Sequence, residues 1–173
     1  MTKETIDFFD EKENFILTAD KKTKYKENKE LYIKGVYIFI VNNKKEILIQ
    51  RKREDHSKFN RWEIPSGHVK SKESFEEAAK RELREETGIR VYLKKIKIIK
   101  FKGQKEFDAF YIGSSNILPN SKNSSEVDAF EFISLKNLLK EIRYNSSRLF
   151  APQLIKFLKY CEKDLNILLS SLC

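Results

Sequence analysis

The chain has 173 residues, 40% of them hydrophobic and 12% aromatic, and a formal charge of +9. That length and apolar content mark one globular domain with a proper core, and no run approaches the 18 apolar residues of a membrane helix. Two cysteines, Cys161 and Cys173, are too few for a disulfide framework and lack zinc-ligand spacing, while the positive charge admits polyanionic partners such as RNA or a phosphate-rich small molecule.

Residues 1–30 are polar, with short apolar patches at Ile6–Phe9 and Phe15–Leu17. They suit either a small hairpin capping the domain or a loose arm. The start has no apolar signal core, so a cytoplasmic location without a membrane anchor is expected. From Leu31 the run LYIKGVYIFIV is β-branched and aromatic, a buried strand; Asn42–Lys45 is a turn and Glu46–Lys52 the return strand. Glu54–Ser66 reads as a loop entering a short strand around Trp62–Ile64, with Trp62 a core or platform residue. Pro65–Gly67 then turns the chain.

The stretch Gly67–Ile89 concentrates the charge. Ser74 followed by Glu77 has capping-box spacing, which starts a helix at Phe75, and Gly88 supplies its left-handed stop. On a helical wheel Phe75, Ala78, Ala79 and Leu83 cover an arc of roughly −60° to +80°. Glu82, Glu85 and Glu86 fall at roughly −20°, −80° and +20°, within or beside that arc, while Glu77, Lys80 and Arg84 lie opposite. An ordinary wet face would put its carboxylates opposite the apolar stripe. Carboxylates withdrawn together repel and raise one another's pKa unless a cation neutralises them. Oxygen-only ligands suit a hard ion, Mg²⁺ or Mn²⁺, and no loop of alternating Asp and Asn offers a structural Ca²⁺ site. The helix reads as a metal platform.

Beyond it, Val91–Leu93 and Ile96–Phe101 read as one long or broken strand, and Glu106–Ile112 as its partner. Ser114–Ser125 is a polar loop, Val127–Ile133 a strand, and Ser134 caps a short helix through Leu138, Leu139 and Ile142. Leu149–Leu169 reads as mostly a C-terminal amphipathic helix, with Pro152 in its first turn and a stripe of Leu154, Phe157, Leu158, Cys161, Leu165 and Leu168. His56 and His68 are the only histidines; His68 is expected to hydrogen-bond locally or to touch substrate.

The charged stretch resembles the Nudix box. Gly67, Glu73, Arg81, Glu82, Leu83, Glu85, Glu86, Gly88 and Ile89 fill every fixed position of that pattern at its spacing. The resemblance implies an α/β/α sandwich with a mixed sheet, formed by the whole chain as a single Nudix domain. It implies Mg²⁺-dependent hydrolysis of a diphosphate linkage in a nucleoside diphosphate derivative by attack of water on phosphorus. It also implies metal ligation by the Gly67 carbonyl, Glu82, Glu85, Glu86 and Glu126. Glu85 or Glu126 is then the group that orients or deprotonates water, with Asp128 and Glu131 as substitutes for Glu126. Arg81 is expected to neutralise and aim Glu73 and Glu82, which makes Glu73 and Gly88 structural. Arg51 or Arg53 is expected to reach the substrate's phosphates, with Trp62 and His68 beside the substrate. KFKGQKEFD after the box lacks the proline usual in ADP-ribose-cleaving members. The order of motifs is similar to the isopentenyl-diphosphate-isomerase-like and MutT-like branch, but FNRWEIPSGH lacks the isomerases' cysteine. The alternative to a hydrolase is a module that has lost catalysis and holds a nucleotide or RNA.

Overall fold

The run from Ile33 to Val41 is almost wholly apolar, which suits a strand covered on both faces. The computed structural model describes residues 4–20, 30–53, 61–120, 124, 126–144 and 148–171. Residues 54–60 of the expected 54–66 loop, His56 among them, part of the 114–125 loop and Cys173 lie outside the described residues. The strands are β1 (Thr5–Phe9), β2 (Phe15–Asp20), β3 (Ile33–Val41), β4 (Glu46–Lys52), β5 (Trp62–Glu63), β6 (Ser66–His68), β7 (Lys94–Ile99), β8 (Glu106–Ser114) and β9 (Val127–Ser134). The helices are α1 (Phe75–Thr87), α2 (Leu135–Arg143) and α3 (Pro152–Ser171). One sheet has the order β5-β4-β3-β8-β7, with β6 also on β3 and β9 on β4; β1 and β2 form a separate pair. The class is α/β, a mixed sheet flanked by helices, as expected. Among the described residues no helix is long and apolar enough to cross a membrane.

The chain divides into two compact units. The first comprises Met1–Ile38, Ser66–Glu82 and Leu93–Ile112. Its N-terminal segment is the hairpin alternative: β1 pairs antiparallel with β2, and Ile6, Phe8, Leu31 and Ile33 form one buried cluster. Ser66 and Gly67, expected in a turn, instead belong with His68 to β6, antiparallel to β3 with Val36 opposite Gly67. The Tyr37 and Phe110 rings stack at 5.1 Å.

The second unit comprises Phe39–Pro65, Leu83–Tyr92 and Gly113–Cys173. Here β4 pairs along its length with β9, and Ile47, Leu48, Ile49 and Gln50 are all fully buried. Ser134 caps α2 by accepting from the Asn137 N–H at 3.3 Å. Helix α3 starts at Pro152, later than expected, because proline biases the residue before it towards extended backbone. Leu149–Ala151 is therefore free to pair with β5: Trp62 N–H donates to the Leu149 carbonyl at 2.7 Å, and Ala151 N–H to the Trp62 carbonyl at 2.9 Å. Leu169 rather than Leu168 completes the buried stripe of α3, and the Cys161 thiol is buried within it.

The expected strand over 91–101 is shorter. Residues 91–93 form an irregular connection in which Leu93 is buried and Tyr92 is 83% exposed, and the strand itself runs only from Lys94 to Ile99.

Phe157 is fully buried, and its ring packs against Phe39 at a tilt of 37° with centroids 5.0 Å apart. Phe157→Ala is expected to cost about 3–5 kcal/mol in urea denaturation. Ile155→Ala, on the exposed side of α3, is expected to change stability by less than about 1 kcal/mol.

Candidate active site on helix α1

Helix α1 begins where the sequence says. The Ser74 N–H donates to Glu77 Oε2 at 2.8 Å and the Glu77 N–H donates to Ser74 Oγ at 3.2 Å, the reciprocal bonds of a capping box. It ends at Gly88, whose φ of +74° is the left-handed stop.

Its first unit's portion ends on a charge-paired fork. Arg81 donates to Glu73 from Nε at 2.8 Å and from Nη2 at 2.9 Å, to Glu82 Oε1 from Nη1 at 2.6 Å, and to the His68 carbonyl from Nη2 at 2.9 Å. All three side chains are largely buried. Burial acts to raise the Glu73 carboxyl, but the Arg81 bonds and the Lys70 N–H outweigh it and hold Glu73 below its ordinary 4.5. Burial likewise opposes the Arg81 charge, and Glu73 and Glu82 more than offset it, so the guanidinium stays protonated. Gly67 lies directly under Glu82: a Cβ there would sit 2.1 Å from Glu82 Cδ. Only glycine lets this carboxylate lie against the backbone of β6.

One turn further along α1, Glu86 is buried in the second unit. Gln50 Nε2 donates to Glu86 Oε2 at 2.7 Å, and the Lys52 ammonium bonds Glu86 Oε1. Lys52 also lies 3.2 Å from Glu126 Oε2 and 3.8 Å from Glu63 Oε1. Burial pushes Glu86 up to about 7, against the pull of Lys52. The burial of Lys52 acts to lower it, but Glu86, Glu63 and Glu126 outweigh that and raise it above the usual range.

The remaining candidates separate. Glu85 is 46% exposed and lies 3.8 Å from Arg84. Glu126 is half exposed, and its carbonyl accepts from the Arg53 N–H at 2.8 Å. Arg51 Nε donates to Asp128 at 2.7 Å, and Arg148 holds Glu131 at 2.7 Å; the two guanidiniums lie 5.8 and 4.7 Å from the Trp62 ring centroid. His68 Nε2 is 3.7 Å from Glu106.

The donor set is oxygen throughout, the kind suited to a hard divalent ion. Glu63, Glu86 and Glu126 already surround a cation, the Lys52 ammonium, so the cluster fits positive charge. Among the described residues no group of three or more His, Cys, Asp or Glu side chains is arranged as a metal site.

Sequence reasoning passed over three residues. Lys52 and Gln50 point inward from a strand whose end reads as an ordinary basic run. Asp108 is fully buried in β8, its Oδ1 2.8 Å from where a Cβ on Gly35 would stand. A carboxylate in the middle of the apolar run EFDAFYI was the available signal.

Comparison with known proteins bears on this geometry. The family model described as the NUDIX domain matches residues 31–154. The chain is 29% identical over 119 residues to the RNA pyrophosphohydrolase of Bartonella henselae, covering 66% of each chain. It spans 36% and 66% of the lengths of two curated relatives it matches. Among solved structures, DR0079 from Deinococcus radiodurans is similar with a TM-score of 0.77 at 21% identity, over 91% of this chain and 99% of that one. A MutT protein from Methanosarcina mazei Go1 gives 0.60 at 26% identity, over 77% and 94%.

Glu73 makes a stability prediction with a definite sign. Its carboxyl is depressed in the folded state, so its contribution is complete above the unfolded value near 4.5 and is lost as pH falls through the folded one. The stability difference between wild type and Glu73→Gln, from denaturation at stepped pH, is expected to be constant above about pH 6 and to shrink in acid.

Proposed function

The chain belongs to the Nudix family, and from that premise we propose that it is a divalent-metal-dependent pyrophosphohydrolase. Its substrate is a nucleotide-type compound with a diphosphate linkage, either a nucleoside triphosphate or a nucleoside diphosphate joined to another group. The observation that carries this reading is the fork of Arg81 holding Glu82 over Gly67. It realises in three dimensions the spacing that the box prescribes.

Glu82, Glu85, Glu86, Glu126 and the Gly67 carbonyl are the groups that would hold Mg²⁺ or Mn²⁺. When bound, such an ion supplies Lewis-acid charge to the diphosphate oxygens. The chain's own residues do the rest. Arg81 fixes the direction of Glu82. Glu85 and Glu126, both about half exposed, are reachable by water and are the candidates to orient or deprotonate it. Arg51 and Arg53 stand at the end of β4 as the phosphate contacts, with Trp62 and His68 as neighbours of the substrate. Lys52 keeps the buried Glu86 carboxylate balanced. The formal charge of +9 suits polyanionic substrates, and RNA is included because a relative is named an RNA pyrophosphohydrolase. The cytoplasm, where nucleotides and RNA are abundant, is the proposed location.

The test is turnover on nucleoside triphosphates, dinucleoside polyphosphates, nucleotide sugars and triphosphorylated or capped RNA, with Mg²⁺ or Mn²⁺ and with chelator. Mononucleotide, pyrophosphate and orthophosphate are measured. Metal-dependent release is expected, abolished in Glu86→Gln while its thermal unfolding still shows a folded protein. Gly67→Ala is expected to lower kcat by about 10²-fold and also to lower Tm by several degrees, because it pushes Glu82 out of its buried bond to Arg81. Nucleotide or RNA held without any turnover would replace hydrolysis with binding.

A further inference from the structure

The N-terminal hairpin lies outside the residues matched by the family model, which begin at 31. Besides packing on Leu31 and Ile33, it reaches one short turn. The Thr5 carbonyl accepts from the Ser71 N–H at 3.0 Å, and Ile6 bridges Lys70. Asp7 Oδ2 accepts from the Lys72 N–H at 3.2 Å, and Asp7 Oδ1 accepts from Thr18 Oγ1 at 2.5 Å. Thr18 Oγ1 in turn lies 3.5 Å from Ser71 Oγ.

That turn needs holding. Lys72 has a φ of +66°, in the left-handed region that a side chain disfavours. Its bend returns the chain so that the Glu73 N–H donates to the Lys70 carbonyl at 3.1 Å and the Lys70 N–H donates to Glu73 Oε2 at 3.0 Å. Glu73 is thereby fixed, and both of its oxygens receive Arg81, which aims Glu82. Every link of this chain, from Asp7 to Glu82, lies within the first unit.

We infer that Asp7 is a positioning residue for the reaction: through Lys72 and Glu73 it fixes the Arg81 fork and so the direction of the Glu82 carboxylate. The hairpin is then a strap on the active-site helix, not a decoration of the fold. The inference rests on the hydrolase reading for its catalytic consequence and on the contacts alone for its structural one.

Two full-length variants test it. Asp7→Ala removes the acceptor, and the double variant Asp7→Ala/Lys72→Gly also removes the strain, since glycine adopts positive φ without penalty. Two readouts are followed: steady-state kinetics on the best substrate, and the NMR signal of the Arg81 Nε–H, whose exchange with water reports on its bond to Glu73. In Asp7→Ala, kcat is expected to fall about 10- to 100-fold with KM little changed, and the Arg81 signal to exchange faster. In the double variant both are expected to recover most of the way. An Arg81 signal unchanged in Asp7→Ala overturns the inference, as does a kcat that stays at the wild-type level or is not rescued by glycine. If the wild type turns over nothing while the Arg81 signal still responds and is rescued, the hydrolase reading has failed and the strap stands.

Discussion

The cluster of Glu73, Glu82 and the His68 carbonyl in the first unit hangs on one guanidinium. Arg81 places two carboxylates and a backbone carbonyl around itself with hydrogen bonds of 2.6–2.9 Å. Glu73 and Glu82 would otherwise repel across a partly dry space. A planar fork with fixed donor directions satisfies both at once, which an ammonium group on a flexible stem does not. Charge-assisted bonds of this kind contribute about 1.5–3 kcal/mol each, and removing one partner of a buried pair costs more than the pair was worth. The fork also explains its neighbours: the capping box sets where Arg81 emerges, and Gly67 leaves the space into which Glu82 is pointed.

The second unit meets the same problem of buried negative charge with a different cation. Lys52, largely buried, gathers Glu63, Glu86 and Glu126 within 4 Å. A point charge on a flexible stem suits a cluster with no preferred plane. Gln50 adds a neutral donor to Glu86, so both oxygens of that carboxylate are engaged. Helix α1 therefore carries Glu82 and Glu86 one turn apart, each with its own countercharge and each with a distinct partner geometry.

Local rules made the helix legible in the sequence. Ser74, Glu77 and Gly88 mark its ends through interactions within a few residues, and the wheel placed Glu82 and Glu86 on the buried side. Glu85 sits at the edge of that arc, and the structure leaves it about half exposed. What local pattern did not reveal depends on partners distant in sequence. Lys52 and Gln50 acquire their roles only through Glu86, 34 and 36 residues away, and Asp7 only through a turn 65 residues on. Strand ends were misjudged for a related reason. Val91–Leu93 is apolar enough to be a strand, yet the chain uses Leu93 as an anchor and leaves Tyr92 in solvent. Pro152 carried a readable backbone signal: its effect on the preceding residue sets where helix α3 starts and leaves 149–151 for the strand-like contact with β5.

That contact gives the protein an optical property. Trp62 is the chain's one indole, and its backbone is tied on both sides to the segment 149–151 while two guanidiniums lie against its ring. Excitation at the red edge of the aromatic band selects it over the seven tyrosines. Its emission is thus a reporter confined to the second unit, sensitive to loss of the β5 pairing. The hairpin and the Arg81 fork contain no indole, so they loosen in spectral silence.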